Sequence, residues 1–124
     1  MTALDDIVGR KKLAPETAFE VLHHHFSYIT GAGINLLTEV LHALDNKRYA
    51  VMNQNAVSGL AAAGITGYPL HPNKDNVHGQ LYAAYCRHAQ AVQKYLGLSN
   101  LTELDALFNY VYWQQEDDED EEQT

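Results

Sequence analysis

The chain has 124 residues, 46% of them hydrophobic, and a formal net charge of −8. This length suits one domain rather than separate cofactor and substrate domains, and the hydrophobic fraction excludes a fully disordered chain. The acidity is uneven, because seven of the sixteen acidic residues lie between Glu116 and Glu122. The remaining nine nearly balance the eight basic residues, which excludes a strongly basic nucleic-acid binder.

Several classes of protein are excluded by what the sequence lacks. No apolar run approaches the roughly 18 residues needed to span a bilayer, and the stretch from Met1 to Leu13 has no apolar signal-peptide core. Cys86 is the only cysteine, so an intrachain disulfide and a paired-cysteine zinc site are excluded. We therefore expect a cytoplasmic protein that binds neither a membrane nor a cofactor.

The predicted elements begin with a helical hairpin. Residues 1–13 carry few apolar anchors and are expected to form a flexible arm, and Pro15 then suits the first turn of a helix. Apolar residues recur at helical spacing in the two helices that follow, which are separated by the Gly-rich turn 30–33. The polar turn 45–48 ends the second helix. These two helices predict a hairpin at the centre of the domain.

Three further helices complete the predicted fold. Asn53 or Asn55 caps the third, which ends at Gly64, and the Pro-rich loop 65–74 follows. A fourth helix is expected over 75–96, where Gly97 ends it, and a fifth from the capping box at Asn100 to about residue 113. The residues expected to face the core are Val57, Leu60 and Ala61 on the third helix, Val77, Leu81, Ala84, Tyr85, His88, Val92 and Tyr95 on the fourth, and Leu104, Leu107, Phe108 and Val111 on the fifth. The sequence therefore predicts an all-α, single compact domain of about five helices over 14–113, followed by a disordered acidic tail, 114–124.

The turn before the second helix is a candidate anion site. Gly31, Ala32, Gly33 and Ile34 would expose backbone N–H groups at a helix start, which suits a phosphate. A tight turn that requires a positive φ explains the same glycines without any ligand. The short Gly-x-Gly pattern alone leaves both interpretations open.

A longer pattern favours nucleic acid. Residues 29–57 combine a Gly-x-Gly turn, a helix, a polar turn and a short extended stretch before the next helix. This order resembles the helix-hairpin-helix region of the DNA-glycosylase-like superfamily. The stretch from Leu41 to Asn53 also resembles helical segments of restriction ATPases that act on modified DNA, in which the pattern LH-x-L-x-P-x-x-Y-x-V-x-N occurs. Asn46 stands in place of the proline, and the resemblance covers about residues 29–65, under a third of the chain.

The resemblance implies binding without catalysis. Glycosylases of that superfamily carry a catalytic aspartate after the hairpin, where this chain has Asn53, Gln54 and Asn55. An amide cannot replace the carboxylate in that chemistry, so base excision is not expected. The implied function is contact with DNA phosphates through the N–H groups of residues 31–34, assisted by Lys47, Arg48, Asn53 and Asn55.

Histidine and cysteine give weaker signals. His23, His24 and His25 are consecutive on a helix and cannot all bind one ion, and no histidine pair has metal-ligand spacing, so no metal site is predicted. In the loop region, His78 and Lys74 are candidate partner contacts. Arg87 and His88 next to Cys86 could activate a thiol, although a buried helical cysteine is the more common case. A small enzyme that uses Cys86 or a histidine pair is therefore the weakest hypothesis.

The C-terminal region gives the alternative to nucleic acid. Tyr110 and Tyr112 cannot both face the core, so an exposed aromatic edge that includes Trp113 is expected. The acidic run beginning Glu116-Asp117-Asp118 could bind a basic protein partner, mimic the charge of nucleic acid, or cover the protein's own basic residues. The sequence therefore leaves two functions open. One is a module that binds nucleic acid or a protein of a nucleic-acid-processing or defence system, and the other is an acidic-tailed inhibitor or accessory subunit.

Overall fold

A computed structural model describes the backbone of residues 13–28 and 33–122 and the side chains of this range as far as residue 114. It contains five helices: α1 Pro15–Phe26, α2 Ile34–Leu44, α3 Gln54–Ala62, α4 Gly79–Tyr95 and α5 Leu101–Glu122. The described residues include no strand, which confirms the prediction of an all-α single domain. None of these helices is long and apolar enough to cross a membrane.

All five helices contribute to one core. Helix α1 packs along α4 and α3 packs along α5, while α2 lies against α1 and α4 contacts α5. Apolar residues at helical spacing form the buried face of each helix, and they meet in a single cluster. Its members on the helices include Phe19, Leu22, Leu37, Leu41, Leu60, Tyr82, Tyr85, Leu104 and Phe108.

A buried link without regular secondary structure, residues 49–52, lies in the core beside the predicted hairpin of α1 and α2, which pack against each other. Residues 49–52 return along α2, where the N–H of Met52 donates to Thr38 Oγ1 at 2.9 Å. All four link residues are buried, from Tyr49 to Met52. A buried extended segment needs partners for its backbone polar groups, and here side chains of the surrounding helices supply them. Hydroxyl groups of Tyr82 and Tyr85 donate to the carbonyl oxygens of Ala50 and Val51, each at 2.7 Å.

The helix ends follow the local sequence signals. Asn53 Oδ1 accepts from the N–H of Ala56 at 2.9 Å, and Asn100 Oδ1 accepts from the N–H of Glu103 at 3.0 Å. Gly64 after α3 and Gly97 after α4 adopt positive φ values of 95° and 72°. These four predictions are confirmed. Helix α4 begins later than the predicted residue 75, because His78 is extended and its Nδ1 accepts from the N–H of Leu81 at 3.4 Å.

Four residues expected in the core are exposed: Ala61, His88, Tyr95 and Leu107. In α4 the buried face is rotated by about one residue from the predicted stripe. Tyr82, Cys86 and Ala89 occupy the core instead, because this rotation directs the two tyrosine hydroxyls to the carbonyl groups of the link. The predicted orientations of His88 and Tyr95 are therefore wrong.

Helix α5 continues beyond the predicted end near residue 113. Its helical backbone includes the acidic run as far as Glu122. We call residues 116–122 the acidic segment.

Candidate functional site

The predicted anion site at the start of α2 lies partly outside the described residues, which do not include Gly31 and Ala32. Gly33 precedes the helix with a φ of −107°, a conformation open to any residue. Ile34 is buried, and no side chain caps this helix start. The first N–H groups of α2 therefore have no capping side chain among the described residues.

The basic residues predicted to assist this site lie at the other end of the helix. Lys47 and Arg48 follow the C-terminus of α2, whereas Gly33 and Ile34 mark its N-terminus. Eleven helical residues span about 16 Å. The structure therefore does not bring these two groups together at one phosphate.

The two asparagines of the predicted site support local structure. Asn53 caps α3, and its Nδ2 also donates to Asn35 Oδ1 on α2 at 3.2 Å. Asn55 Nδ2 donates to Asn109 Oδ1 on α5 at 2.8 Å. The contact between Asn35 and Asn53 brings the starts of α2 and α3 side by side, which sequence reasoning missed.

The structure brings a third basic residue to Lys47 and Arg48. Together with Lys94 they line an open depression of about 510 Å³ between the 45–48 turn and the end of α4. We call this surface the basic depression; its lining residues are Asp45, Lys47, Arg48, Gln90, Gln93, Lys94 and Ser99. No local pattern links Lys94 to Lys47, because only the packing of α4 against the turn brings them together.

Hydrogen bonds hold the wall of the basic depression. Gln90 Nε2 donates to the carbonyl oxygens of Lys47 and Arg48 at 3.2 and 3.3 Å. Arg48 Nε lies 3.9 Å from Asp45 Oδ2, so one of the three cations is partly neutralised. The side chains of Lys47 and Lys94 are exposed and form no hydrogen bond or ion pair with any described residue. The depression therefore offers two solvent-facing ammonium groups to an anionic partner.

A second polar cluster connects α2 to α5. His42 Nδ1 lies 2.8 Å from the carbonyl oxygen of Tyr49, which can only accept, so this nitrogen donates. His42 Nε2 and the Thr102 hydroxyl oxygen are hydrogen-bonded at 2.9 Å, and Asn46 Nδ2 donates to the same hydroxyl oxygen at 3.0 Å. The carbonyl oxygen of Asn46 also accepts from the N–H of Leu101 at 2.9 Å. This cluster fixes the start of α5 beside the 45–48 turn.

Cys86 and the histidines do not form a reactive site among the described residues. Burial of Cys86 raises the pKa of its thiol to about 11, so its thiolate is disfavoured at neutral pH. The described histidine, cysteine and acidic side chains form no group of three that could hold a metal ion. His78 caps α4, and His23 Nε2 contacts the carbonyl oxygen of Lys74 at 2.9 Å. The contacts of His78 and His23 therefore support local structure.

One face of α5 carries exposed aromatic side chains. Leu107, Tyr110 and Trp113 follow one another at steps of three residues and are 37%, 65% and 57% exposed. Tyr112 is half-buried, with its ring edge-on to that of Trp113 at a centroid distance of 5.4 Å. The predicted aromatic edge is therefore present, and we call Leu107, Tyr110 and Trp113 the α5 face. Glu116, Asp117 and Asp118, the acidic partner contacts predicted from sequence, have helical backbone, but their side chains lie outside the described set.

No family model, no curated protein and no solved structure matches the chain.

Proposed function

We propose that the protein is a non-catalytic interaction module of the cytoplasm that uses the C-terminal part of α5 to bind a basic protein partner. One observation carries this proposal. The exposed α5 face lies on the helix that continues directly into the seven acidic residues 116–122. An aromatic contact surface and a negatively charged segment that can attract a cationic partner are therefore adjacent on one helix.

The chemistry of the α5 face suits a protein contact. Tyrosine and tryptophan are enriched in binding hot spots, because each buries a large area on association and keeps a polar group for hydrogen bonding. Tyr110 and Trp113 lie one helical turn apart, so both side chains can enter the same groove of a partner. Hydrophobic contact at this face would supply most of the affinity.

The acidic segment defines the charge of the partner. Seven adjacent acidic residues attract a surface rich in lysine and arginine and accelerate its encounter with α5. A protein that uses such a surface for nucleic acid meets this description, because the acidic segment mimics the charge of the phosphate backbone. An inhibitor or accessory subunit of a nucleic-acid-processing or defence system is the corresponding role.

Binding of a labelled amphipathic peptide tests this proposal. The peptide carries an apolar stripe flanked by lysine and arginine, and fluorescence anisotropy measures its affinity for the full chain. We expect Trp113→Ala and Tyr110→Ala each to weaken binding by about tenfold or more, as alanine substitutions in hot spots do. Tyr95→Ala is the matched control, because Tyr95 is 89% exposed and lies on α4. Equal affinity of all four proteins for the peptide would contradict the proposal.

A second candidate is contact with nucleic-acid phosphates, which the helix-hairpin-helix resemblance implies. The observation that favours it is the Asn35–Asn53 hydrogen bond of 3.2 Å, since it joins the starts of two helices whose dipoles both favour an anion. The nearly neutral charge of residues 1–113 opposes it, because phosphate neutralisation provides most non-specific affinity.

Asn35→Asp tests the second candidate without disturbing the fold. Aspartate keeps the oxygen that accepts from Asn53, and a carboxylate in the first turn stabilises a helix. The added negative charge would nevertheless repel a phosphate. We therefore expect weaker binding of a labelled oligonucleotide at low salt with an unchanged or higher melting temperature. Absence of any binding by the wild-type protein at low salt would refute this second candidate.

A further inference from the structure

The basic depression carries more positive charge than its own structure uses. Three cations, Lys47, Arg48 and Lys94, and one anion, Asp45, line it. Both carboxylate oxygens of Asp45 have contacts, since Oδ1 accepts from the N–H of Lys47 at 3.0 Å and Oδ2 lies 3.9 Å from Arg48 Nε. Arg48 Nη1 also donates to the carbonyl oxygen of Leu13 at 3.3 Å. The ammonium groups of Lys47 and Lys94 therefore remain as the charge that no described residue pairs.

The 45–48 turn holds Lys47 in place without help from that ammonium group. Each carbonyl oxygen of the turn accepts a hydrogen bond. The first two accept from backbone N–H groups at 2.9–3.3 Å, and those of Lys47 and Arg48 accept from Gln90 Nε2 at 3.2 and 3.3 Å. Because the polar groups of the turn are satisfied in this way, the backbone at Lys47 is positioned before any ligand binds.

Lys94 is likewise not required to cap α4. A lysine in the last turn of a helix can bond the final carbonyl groups. Here the carbonyl oxygens of Val92, Gln93 and Lys94 accept instead from backbone N–H groups of residues 96–98 at 2.9–3.1 Å. The positive φ of 72° at Gly97 makes this return of the chain possible. The exposed ammonium group of Lys94 is therefore available to a ligand in the basic depression.

The uncharged residues that line the depression are polar. They are Gln90, Gln93 and Ser99, so its described lining includes no aromatic or aliphatic side chain. Its volume of about 510 Å³ lies within the range of about 300–1,000 Å³ that is usual for small-molecule sites. Sites for apolar ligands are lined mainly by hydrophobic and aromatic side chains. This lining instead suits a ligand that is anionic at one end and hydroxylated elsewhere.

We infer that the basic depression binds a small phosphate ester with a hydroxylated remainder, a class to which sugar phosphates belong. A phosphate monoester carries about −1.5 to −2 charge at neutral pH and has three acceptor oxygens, which matches the two ammonium groups of Lys47 and Lys94. A single carboxylate has only half of this charge. The exposed hydroxyl of Ser99 can donate to or accept from the hydroxyl groups of the ligand. This site is separate from the α5 face, so the inference goes beyond the proposed function and does not depend on it.

Titration of the isotope-labelled full chain, followed by NMR at constant ionic strength, tests the inference. The probes are glucose 6-phosphate, inorganic phosphate and glucose. Lys47→Gln and Lys94→Gln, alone and combined, remove the charge and keep a polar side chain. Ser99→Ala removes the hydroxyl that would contact the remainder of the ester. Arg87→Gln is the matched control, because Arg87 is exposed on α4 outside the depression.

We expect both phosphates to shift the amide signals of Lys47 and Lys94 in a saturable manner, glucose 6-phosphate to bind more tightly than phosphate, and glucose to have no effect. Each lysine variant should bind both phosphates about two- to fivefold more weakly, the usual weight of an exposed ion pair, and the double variant about tenfold more weakly. Ser99→Ala should weaken only the binding of glucose 6-phosphate. The Arg87→Gln control should bind as wild type does, and every variant should still bind the basic peptide.

Failure of the wild-type protein to bind either phosphate would overturn this inference, as would lysine variants that bind both as tightly as wild type. Equal affinity for the two phosphates, unchanged by Ser99→Ala, would contradict the assigned ligand class. If a labelled single-stranded oligonucleotide binds the wild type but not the double variant, and glucose 6-phosphate does not bind, the depression is a nucleic-acid site instead. Phosphate binding without peptide binding would refute the proposed function alone.

Discussion

The hydroxyl of Tyr85 donates a hydrogen bond of 2.7 Å to the carbonyl oxygen of Val51, although the two residues are 34 positions apart in sequence. Tyr82 makes the equivalent bond to Ala50, also at 2.7 Å. An extended segment at the centre of a helical core lacks the ladder of a sheet, and its carbonyl groups would otherwise be buried without a partner. The two tyrosines of α4 therefore make the link 49–52 compatible with the core, and the link in turn positions α3.

Removal of one of these hydroxyls should destabilise the fold. Tyr85→Phe leaves the buried carbonyl of Val51 without its donor, and we expect a loss of about 1–3 kcal/mol in the free energy of unfolding. Urea denaturation followed by circular dichroism measures it. Tyr95→Phe removes a hydroxyl from an exposed ring and should change little. Equal stabilities of these two variants would contradict the role assigned to Tyr85.

The contact between α3 and α5 requires glycine at position 59. A Cβ atom there would collide with the ring of Phe108 and lie 2.9 Å from Phe108 Cβ, so the base of that side chain would have to move. Alanine favours a helix by about 1 kcal/mol over glycine, yet overpacking typically costs about 1–3 kcal/mol. We expect Gly59→Ala to lower the melting temperature, and Ser58→Ala, one residue earlier in α3, to lower it less. A higher melting temperature for Gly59→Ala would contradict this requirement, because it would mean that α3 and α5 can accommodate the added Cβ.

Burial of Cys86 controls both its reactivity and the alkaline stability. Desolvation raises the pKa of the thiol to about 11, and the pKa values of Tyr82 and Tyr85 are also raised by burial. Each group releases its proton more readily when the chain is unfolded, so the free energy of unfolding should fall as the pH rises above about 9.

Alkylation of Cys86 by iodoacetamide at pH 8 should be slow in the native protein and fast in urea. Rapid alkylation of the native protein would contradict this burial.

Asp105 makes the stability of the fold depend on pH in the acidic range. Burial is the main cause that raises the pKa of its carboxyl group, and Glu39 adds to this while His42 opposes it. Because the folded pKa lies above the unfolded one, this group contributes stability at low pH that is lost as the pH rises through the folded pKa. Asp105→Asn should therefore unfold at higher urea than wild type at pH 7, and the advantage should disappear at low pH. Asp75→Asn, at an exposed site, is the control, and an equal effect of both would contradict this account.

The parts of the fold that the sequence can predict are those decided within a few residues. Asn53 and Asn100 cap the N–H groups three residues ahead, and Gly64 and Gly97 take the positive φ that ends a helix. Each of these choices depends on the local chain alone. For this reason, the number of helices and most of their ends are predictable.

The incorrect predictions concern features that distant segments decide. The orientation of α4 depends on the carbonyl groups of the link 49–52, so the helical pattern alone places His88 and Tyr95 inward. Lys94 joins Lys47 only through packing, which no spacing reveals. The separation of Gly33 from Lys47 is different in kind, because the length of α2 predicts it directly. Helix length alone is therefore enough to divide the anion site expected from sequence into two surfaces.

Trp113 allows the central claim, that α5 binds a basic partner, to be measured without a label. It is the only tryptophan of the chain, is 57% exposed and belongs to the proposed contact surface. Titration with the basic amphipathic peptide should shift its fluorescence to shorter wavelength in a saturable manner, and this response should weaken at high salt. An emission spectrum that stays unchanged up to a large excess of peptide at low salt would contradict the account.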